Sequence, residues 1–207
     1  MKHYPSITKE IRNDIPIIGF AKIDGSNIRA EWNDKRGFYK FGTRHELIDD
    51  KTRPFGRSIP LLRDKYEIDL TRVFKERGWK NVICFFEYWG AESFAGNHNF
   101  DQAMDITLID VNPFDTNPYQ MGILPPENFI ELFEYIDIPT ICYRGYVTTE
   151  LFDRVKQSTL PGMSAEGVVC KGNDNGKTVM FKIKSQAWLD KLKEYCNDNE
   201  SLFQRLC

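Results

Sequence analysis

The 207-residue chain reads as an α+β fold of largely antiparallel sheets flanked by helices. Three observations carry that reading. Short β-prone runs outnumber segments with helical spacing. Their connections are short and irregular, unlike the regular helical crossovers of a parallel βαβ fold. Some runs also alternate apolar and polar residues, as half-buried strands do.

In chain order, residues 15–21 form an apolar run closed by polar residues, which predicts a buried strand. Residues 28–32 and 37–41 alternate and read as strands joined by the turn 33–36. Residues 59–78 have helical spacing, with Leu61, Leu62, Tyr66, Leu70, Val73 and Phe74 on one face and Gly78 as a stop. Two β-prone runs follow, 82–88 and 104–111, the second ending at Asn112-Pro113. Residues 126–135 fit a helix with proline near its start. A strand over 141–147 and a helix over 148–158 come next. Residues 167–170 and 178–183 are the last two strands, on either side of the turn-rich 172–176. Beyond Ser185, Trp188, Leu189, Leu192 and Tyr195 recur at helical spacing.

Composition narrows the function classes. The length suits one sizeable core with at most a short appendage. No run approaches 18 apolar residues, and the first residues lead into no signal-like stretch. A soluble protein of the cytoplasm or another intracellular compartment, with no membrane partner, is expected. Five cysteines (Cys84, Cys142, Cys170, Cys196 and Cys207) are odd in number and lack C-x-x-C spacing, which speaks against disulfides and structural zinc. His3, His45 and His98 form no ligand motif. Net charge is −2, but residues 35–65 hold nine Lys/Arg against four acids, whereas 81–143 hold ten Asp/Glu and no Lys or Arg. One part of the surface would attract a polyanion and another repel it.

Four blocks carry chemistry. The first is Lys22-Ile23-Asp24-Gly25-Ser26-Asn27-Ile28-Arg29. A lysine at the end of a buried strand is held rigidly, and burial with neighbouring cations would lower its pKa and make it a nucleophile. Gly25 would let the backbone approach a ligand closely. The second block puts Glu87 inside the aromatic run Phe85-Phe86-Glu87-Tyr88-Trp89, where an unpaired charge is costly and ribose hydroxyls would serve as partners. The third, Glu166-Gly167-Val168-Val169-Cys170-Lys171, sets a carboxylate and an ammonium around apolar residues suited to the floor of a base pocket. In the fourth, Lys182 and Lys184 lie at period two and share one strand face, an arrangement that calls for an anion such as a triphosphate.

In this order the blocks resemble motifs I, III, IV and V of the covalent nucleotidyltransferases: ATP-dependent DNA ligases, RNA ligases and mRNA capping guanylyltransferases. The resemblance runs from about Phe20 to Ser185. The Glu166–Lys171 block has the ligase form. Gly25-Ser26-Asn27 is similar to the G-[TS]-N of type-2 phage RNA ligases and kinetoplastid RNA-editing ligases, although Asp24 stands where those often have His. Gly42-Thr43-Arg44 resembles the short motif whose arginine contacts the nucleic-acid end.

The resemblance implies an ATP-grasp-like nucleotidyltransferase domain over residues 1–184 and a short helical tail over 185–207. It leaves no room for an OB domain or the helical C-terminal domain of type-2 RNA ligases. It implies ATP-dependent RNA joining of 5′-phosphate and 3′-hydroxyl ends through lysyl-AMP and adenylylated RNA, with a minimal DNA ligase as the alternative. A catalytically degenerate RNA-binding module of the same fold is the rival from another class. Lys22 would be the nucleophile, and Glu166, Lys182 and Lys184 would act with it. Ala21, Asp24, Asn27, Arg29, Glu87, Ile106 and Val168 would complete the ATP site. Glu166 would stand beside Mg²⁺ or Mn²⁺, and Arg44, Arg53 and Arg57 would grip nucleic acid. The partners implied are RNA, as a nicked duplex or paired ends, and a protein that replaces the C-terminal domain. The family's stacking aromatic has no counterpart in residues 106–111; Ile106 would substitute for it, or Phe114 or Tyr88 would reach in.

Overall fold

A computed structural model of the chain describes residues 2–8, 10–91, 103–117, 119, 122–197 and 199–206; His98 and Cys207 lie outside them. Strands β1 (Ile17–Ala21), β7 (Ile141–Gly145), β8 (Gly167–Asp174) and β9 (Lys177–Lys184) form one sheet, ordered β7-β1-β8-β9. Strands β2 (Gly25–Asn33), β3 (Gly37–Thr43), β4 (Leu47–Ile48), β5 (Asn81–Trp89) and β6 (Asp105–Phe114) form the other, ordered β4-β3-β2-β5-β6. All pairings between these strands are antiparallel. The helices are α1 (Ser58–Glu76), α2 (Pro126–Phe133), α3 (Thr149–Lys156), α4 (Gln186–Tyr195) and α5 (Glu200–Leu206). The fold is the α+β class expected, with two antiparallel sheets flanked by helices.

Two expected boundaries move. Strand β6 runs through Asn112-Pro113, and Pro113 pairs with Val82. That is possible because β6 is an edge strand in its sheet, where a missing N–H interrupts no ladder on the far side. The turn expected over 172–176 shrinks to Asn175-Gly176, since pairing continues to Asp174 and Lys177. Both turn residues have positive φ, 51° and 83°, as a two-residue type I′ hairpin requires. Strand β4, two residues long, has no signal in the sequence.

The cores explain which faces are left for function. Leu62, Tyr66, Leu70 and Phe74 of α1 pack on Ile28, Ala30, Cys84, Phe86 and Leu108, covering the outer face of the five-stranded sheet. Leu151 and Val155 of α3 pack on Val168, Cys170, Phe181 and Ile183, covering the outer face of the four-stranded sheet. Because strand side chains alternate, the residues between these on β5, β8 and β9 face inward, sheet to sheet. There Tyr4, Ile83, Phe85, Ile123 and Met180 form a small dry cluster at one end. The rest of the space between the sheets is a cleft. Among the described residues, no helix is long and apolar enough to cross a membrane. The thiols of Cys84, Cys142, Cys170 and Cys196 are free, and burial pushes those of Cys142 and Cys170 up to about 11 and 12.

Candidate active site

The cleft between the sheets has a volume of about 660 Å³. Lys22 directly follows β1 and opens onto it. The lysine backbone is tied on both sides: its N–H donates to the Gly167 carbonyl at 2.9 Å, and the Ser164 hydroxyl donates to its carbonyl. Its Nζ donates to one oxygen of Glu166 at 2.9 Å, while the other oxygen holds Lys184 Nζ at 3.1 Å. Glu166 is 4% exposed, so this buried carboxylate is shared by two ammonium groups. The next residue has to be glycine. Gly167 has φ +134°, and a Cβ there would run into the Ile183 carbonyl and lie 2.9 Å from Lys184 Cα. The close β8–β9 approach that aims Lys184 at Glu166 therefore depends on Gly167.

The electrostatics reverse one expectation. Burial of Lys22 does push its pKa down, but Glu166, Glu87 and Asp24 together outweigh burial and hold it above the ordinary lysine value. The carboxylates, not the neighbouring cations, decide the sign, so Lys22 rests as an ammonium. Glu87 is on β5 opposite Asn27 and faces the cleft from the second sheet. Burial raises its pKa to about 8, opposed by Lys22 and reinforced by Glu166 and Asp24. At neutral pH Glu87 is largely a neutral acid.

Most of the residues expected at the site meet here. Ala21, Lys22, Asp24, Asn27, Arg44, Glu87, Glu166, Lys182 and Lys184 all line the cleft. Val168, Ile106, Tyr88, Phe114 and Arg29 do not take the places expected. Val168 points into the α3-covered core, and Val169, one residue on and paired with Lys182, supplies the apolar floor. Ile106 is opposite Tyr88, and both belong to the α1-covered core; the bulge residue Ile109 reaches the cleft instead. Phe114 packs against the Tyr4–Phe85 cluster. Arg29 donates to the Lys2 carbonyl at 3.3 Å and contacts His3 Nδ1 at 2.9 Å, so it anchors the N-terminal segment. Gly25 has a different reason from the one expected: a Cβ there would meet the Tyr88 carbonyl at 2.5 Å, so the close neighbour is strand β5. Arg53 and Arg57 are exposed beside Phe55, which lines the cleft.

Sequence reading missed Phe20, Tyr4, Ser164 and Trp188, and of the two floor valines it chose Val168 rather than Val169 for the base. Strand alternation was the available signal for Val169: once Lys182 and Lys184 face the cleft, their cross-strand partner does too. Beneath the floor, Lys171 Nζ donates to Asp110 and to the Ile109 carbonyl, each at 2.7 Å, and Tyr4 donates to the same carboxylate. Burial holds the Lys171 pKa below its ordinary value and that of Asp110 above it, each opposed by its partner.

No family model and no curated protein matches this sequence. Solved structures of Naegleria gruberi RNA ligase do match the fold. One with PPi is 16% identical with a TM-score of 0.64, over 87% of this chain and 52% of that one. A mutant with AMP and Mn is 17% identical with a TM-score of 0.63, over 86% and 52%. A mutant with ATP and Mn is 15% identical with a TM-score of 0.62, over 91% and 59%. The chain thus spans about half the length of the structures it matches. This chain shares its fold with those RNA ligase structures.

Proposed function

We propose that the chain is an ATP-dependent RNA ligase in which Lys22 carries AMP. The observation that carries this reading is the shared carboxylate: Glu166 holds the Lys22 and Lys184 ammonium groups together inside a cleft sized for a nucleotide. A lysine this constrained, with two more cations on β9 facing the same space, suits attack on a bound triphosphate. The fold shared with an RNA ligase supports the same conclusion.

In the first step Lys22 Nζ, having lost its proton, bonds to the α-phosphorus of ATP. The bond from that phosphorus to the α,β-bridging oxygen breaks, and pyrophosphate leaves. In the second, an RNA 5′-phosphate oxygen displaces Lys22 and takes the AMP. In the third, a 3′-hydroxyl attacks that 5′-phosphate, AMP leaves and the strand is sealed. Lys182 and Lys184 neutralise phosphate charge, Glu87 binds ribose, and Val169 lies under the base. Arg44 at the cleft, with exposed Arg53 and Arg57, holds the RNA. No group of three metal-ligating side chains is preassembled among the described residues. The carboxylates of Glu166, Glu87 and Asp24 nonetheless converge on Lys22, which fits a Mg²⁺ or Mn²⁺ held mainly by phosphate and water. Such an ion, when bound, would neutralise phosphate charge, with Glu166 holding its water shell.

Purified protein given α-labelled ATP and Mg²⁺ should acquire a covalent AMP label, stable to alkali and released by acid as a phosphoramidate is, that Lys22→Ala abolishes. Label retained by that variant would remove Lys22 from its role. RNA binding without any label would mark a catalytically silent module. Matched nicks with ribo- or deoxyribo- 3′ ends then test the substrate, and equal sealing of both would overturn the choice of RNA.

A further inference from the structure

Lys184 has a second neighbour. Its ammonium sits over the face of the Trp188 ring, 3.6 Å from the centroid. Cation–π attraction acts within about 6 Å and is strongest between desolvated groups. Here lysine and ring are 6% and 2% exposed. The placement is built into the backbone. Ser185 follows Lys184 and caps α4, accepting from the Trp188 N–H at 3.2 Å. The Ser185 hydroxyl donates to the Ala165 carbonyl at 2.6 Å, and its N–H donates to the Glu166 carbonyl at 3.0 Å. One residue thus ties the carboxylate, the lysine and the ring together.

The charge count gives the ring a task. Glu166 bonds Lys22 as well as Lys184, so Lys184 shares this carboxylate with a second ammonium. A second carboxylate beside Lys184 would restore balance but would repel a triphosphate. An aromatic face holds an ammonium without adding net negative charge.

We infer that Trp188 is a positioning residue for lysyl-AMP formation, its ring face holding the Lys184 ammonium charged and in place to meet the phosphates of ATP. This rests on the reading of Lys22 as the nucleophile.

The test replaces Trp188 by site-specific incorporation of mono-, di- and trifluorotryptophan, which drain the ring face while nearly keeping its shape. Two quantities are read: the single-turnover rate of AMP transfer to the protein, and the pH titration of the Lys184 Hε resonance without ATP, assigned with Lys184→Arg. The rate should fall stepwise with fluorine number, by about thirtyfold across the series, with little change in half-saturating ATP. The Lys184 titration should move to lower pH in the same order, and Trp188→Phe should keep far more activity than Trp188→Leu. If the rate and the titration are both flat across the series while Trp188→Leu loses activity, the ring only packs and the inference fails. Should the unmodified protein form no adduct, the reading of Lys22 fails instead. The titration then decides separately whether Trp188 holds Lys184, and a flat one overturns that too.

Discussion

Glu87→Gln isolates one buried carboxylic acid. Glutamine keeps the size of the side chain and cannot ionise. In the folded protein the Glu87 pKa is raised from 4.5 to about 8, chiefly by burial. The fold therefore binds this proton more tightly than the unfolded chain does. Below 4.5 both states are protonated and no stability is lost. Between 4.5 and 8 the unfolded chain releases its proton while the fold keeps it, so stability falls as pH rises. Above 8 the loss is complete. At about 1.4 kcal/mol per pKa unit the ceiling is about 5 kcal/mol. Glu87 opens onto the cleft and is partly solvated, which brings the expected loss to roughly 2–3 kcal/mol. Lys22 does not confuse the experiment. Its pKa is raised too, so its contribution persists until the pH passes the ordinary lysine range. Urea unfolding followed by tryptophan fluorescence at pH 5, 7 and 9 should show the unmodified protein losing this stability relative to Glu87→Gln. Parallel pH dependence of the two proteins would refute the reasoning.

Other outcomes follow from the same geometry. Asp110→Asn leaves the Lys171 ammonium buried without its counter-charge and should cost about 3–5 kcal/mol in urea unfolding, whereas Asp110→Leu with Lys171→Met should recover most of that. Gly167→Ala, at φ +134° and against the Ile183 carbonyl, should cost at least about 3 kcal/mol and reduce AMP labelling, because β9 and Lys184 must shift. Removing Arg53 and Arg57 together should flatten the dependence of log affinity for RNA on log salt by about 1.5–2, measured by fluorescence anisotropy. An unchanged slope would return those arginines to an ordinary solvated face.

What the sequence could and could not disclose follows from the range of each interaction. The strands and helices were legible because periodicity is local. Hence α1 was predicted from Leu62, Tyr66, Leu70 and Phe74, and the β8–β9 hairpin from its apolar runs. The charged site residues Lys22, Glu87, Glu166, Lys182 and Lys184 were legible by type and order. Which neighbour faces the cleft was not. Val168 and Val169 are both apolar in an apolar strand, and only pairing with Lys182 and packing against α3 separates them. Arg29 looked like a site residue because it sits in the Lys22 block, but its partners are 26 and 27 residues away in the N-terminal segment. Trp188 looked like one more apolar position on a helix, and its contact with Lys184 comes from the turn at Ser185.

The sign of the Lys22 shift is the sharpest divergence, and it has a kinetic consequence. The expected lowering considered burial and cations. The three carboxylates around Lys22 override both and keep it protonated. A lysine held above its ordinary pKa by neighbouring carboxylates rests almost entirely as the ammonium at neutral pH. Attack on ATP therefore requires Lys22 to leave Glu166 and lose its proton, and the bound cations must supply the drive for both. The single-turnover rate of AMP transfer should then rise about tenfold per pH unit from 6.5 upward, and Glu87→Gln, which removes the charge that Glu87 gains above about pH 8, should move the upper part of that profile toward lower pH. Only the position of the profile is diagnostic here, because Glu87 also touches ribose in the proposed complex and its loss will lower the amplitude. A rate that is level between pH 6.5 and 9 would mean that Lys22 is already neutral in the resting site, against the balance of charge around it.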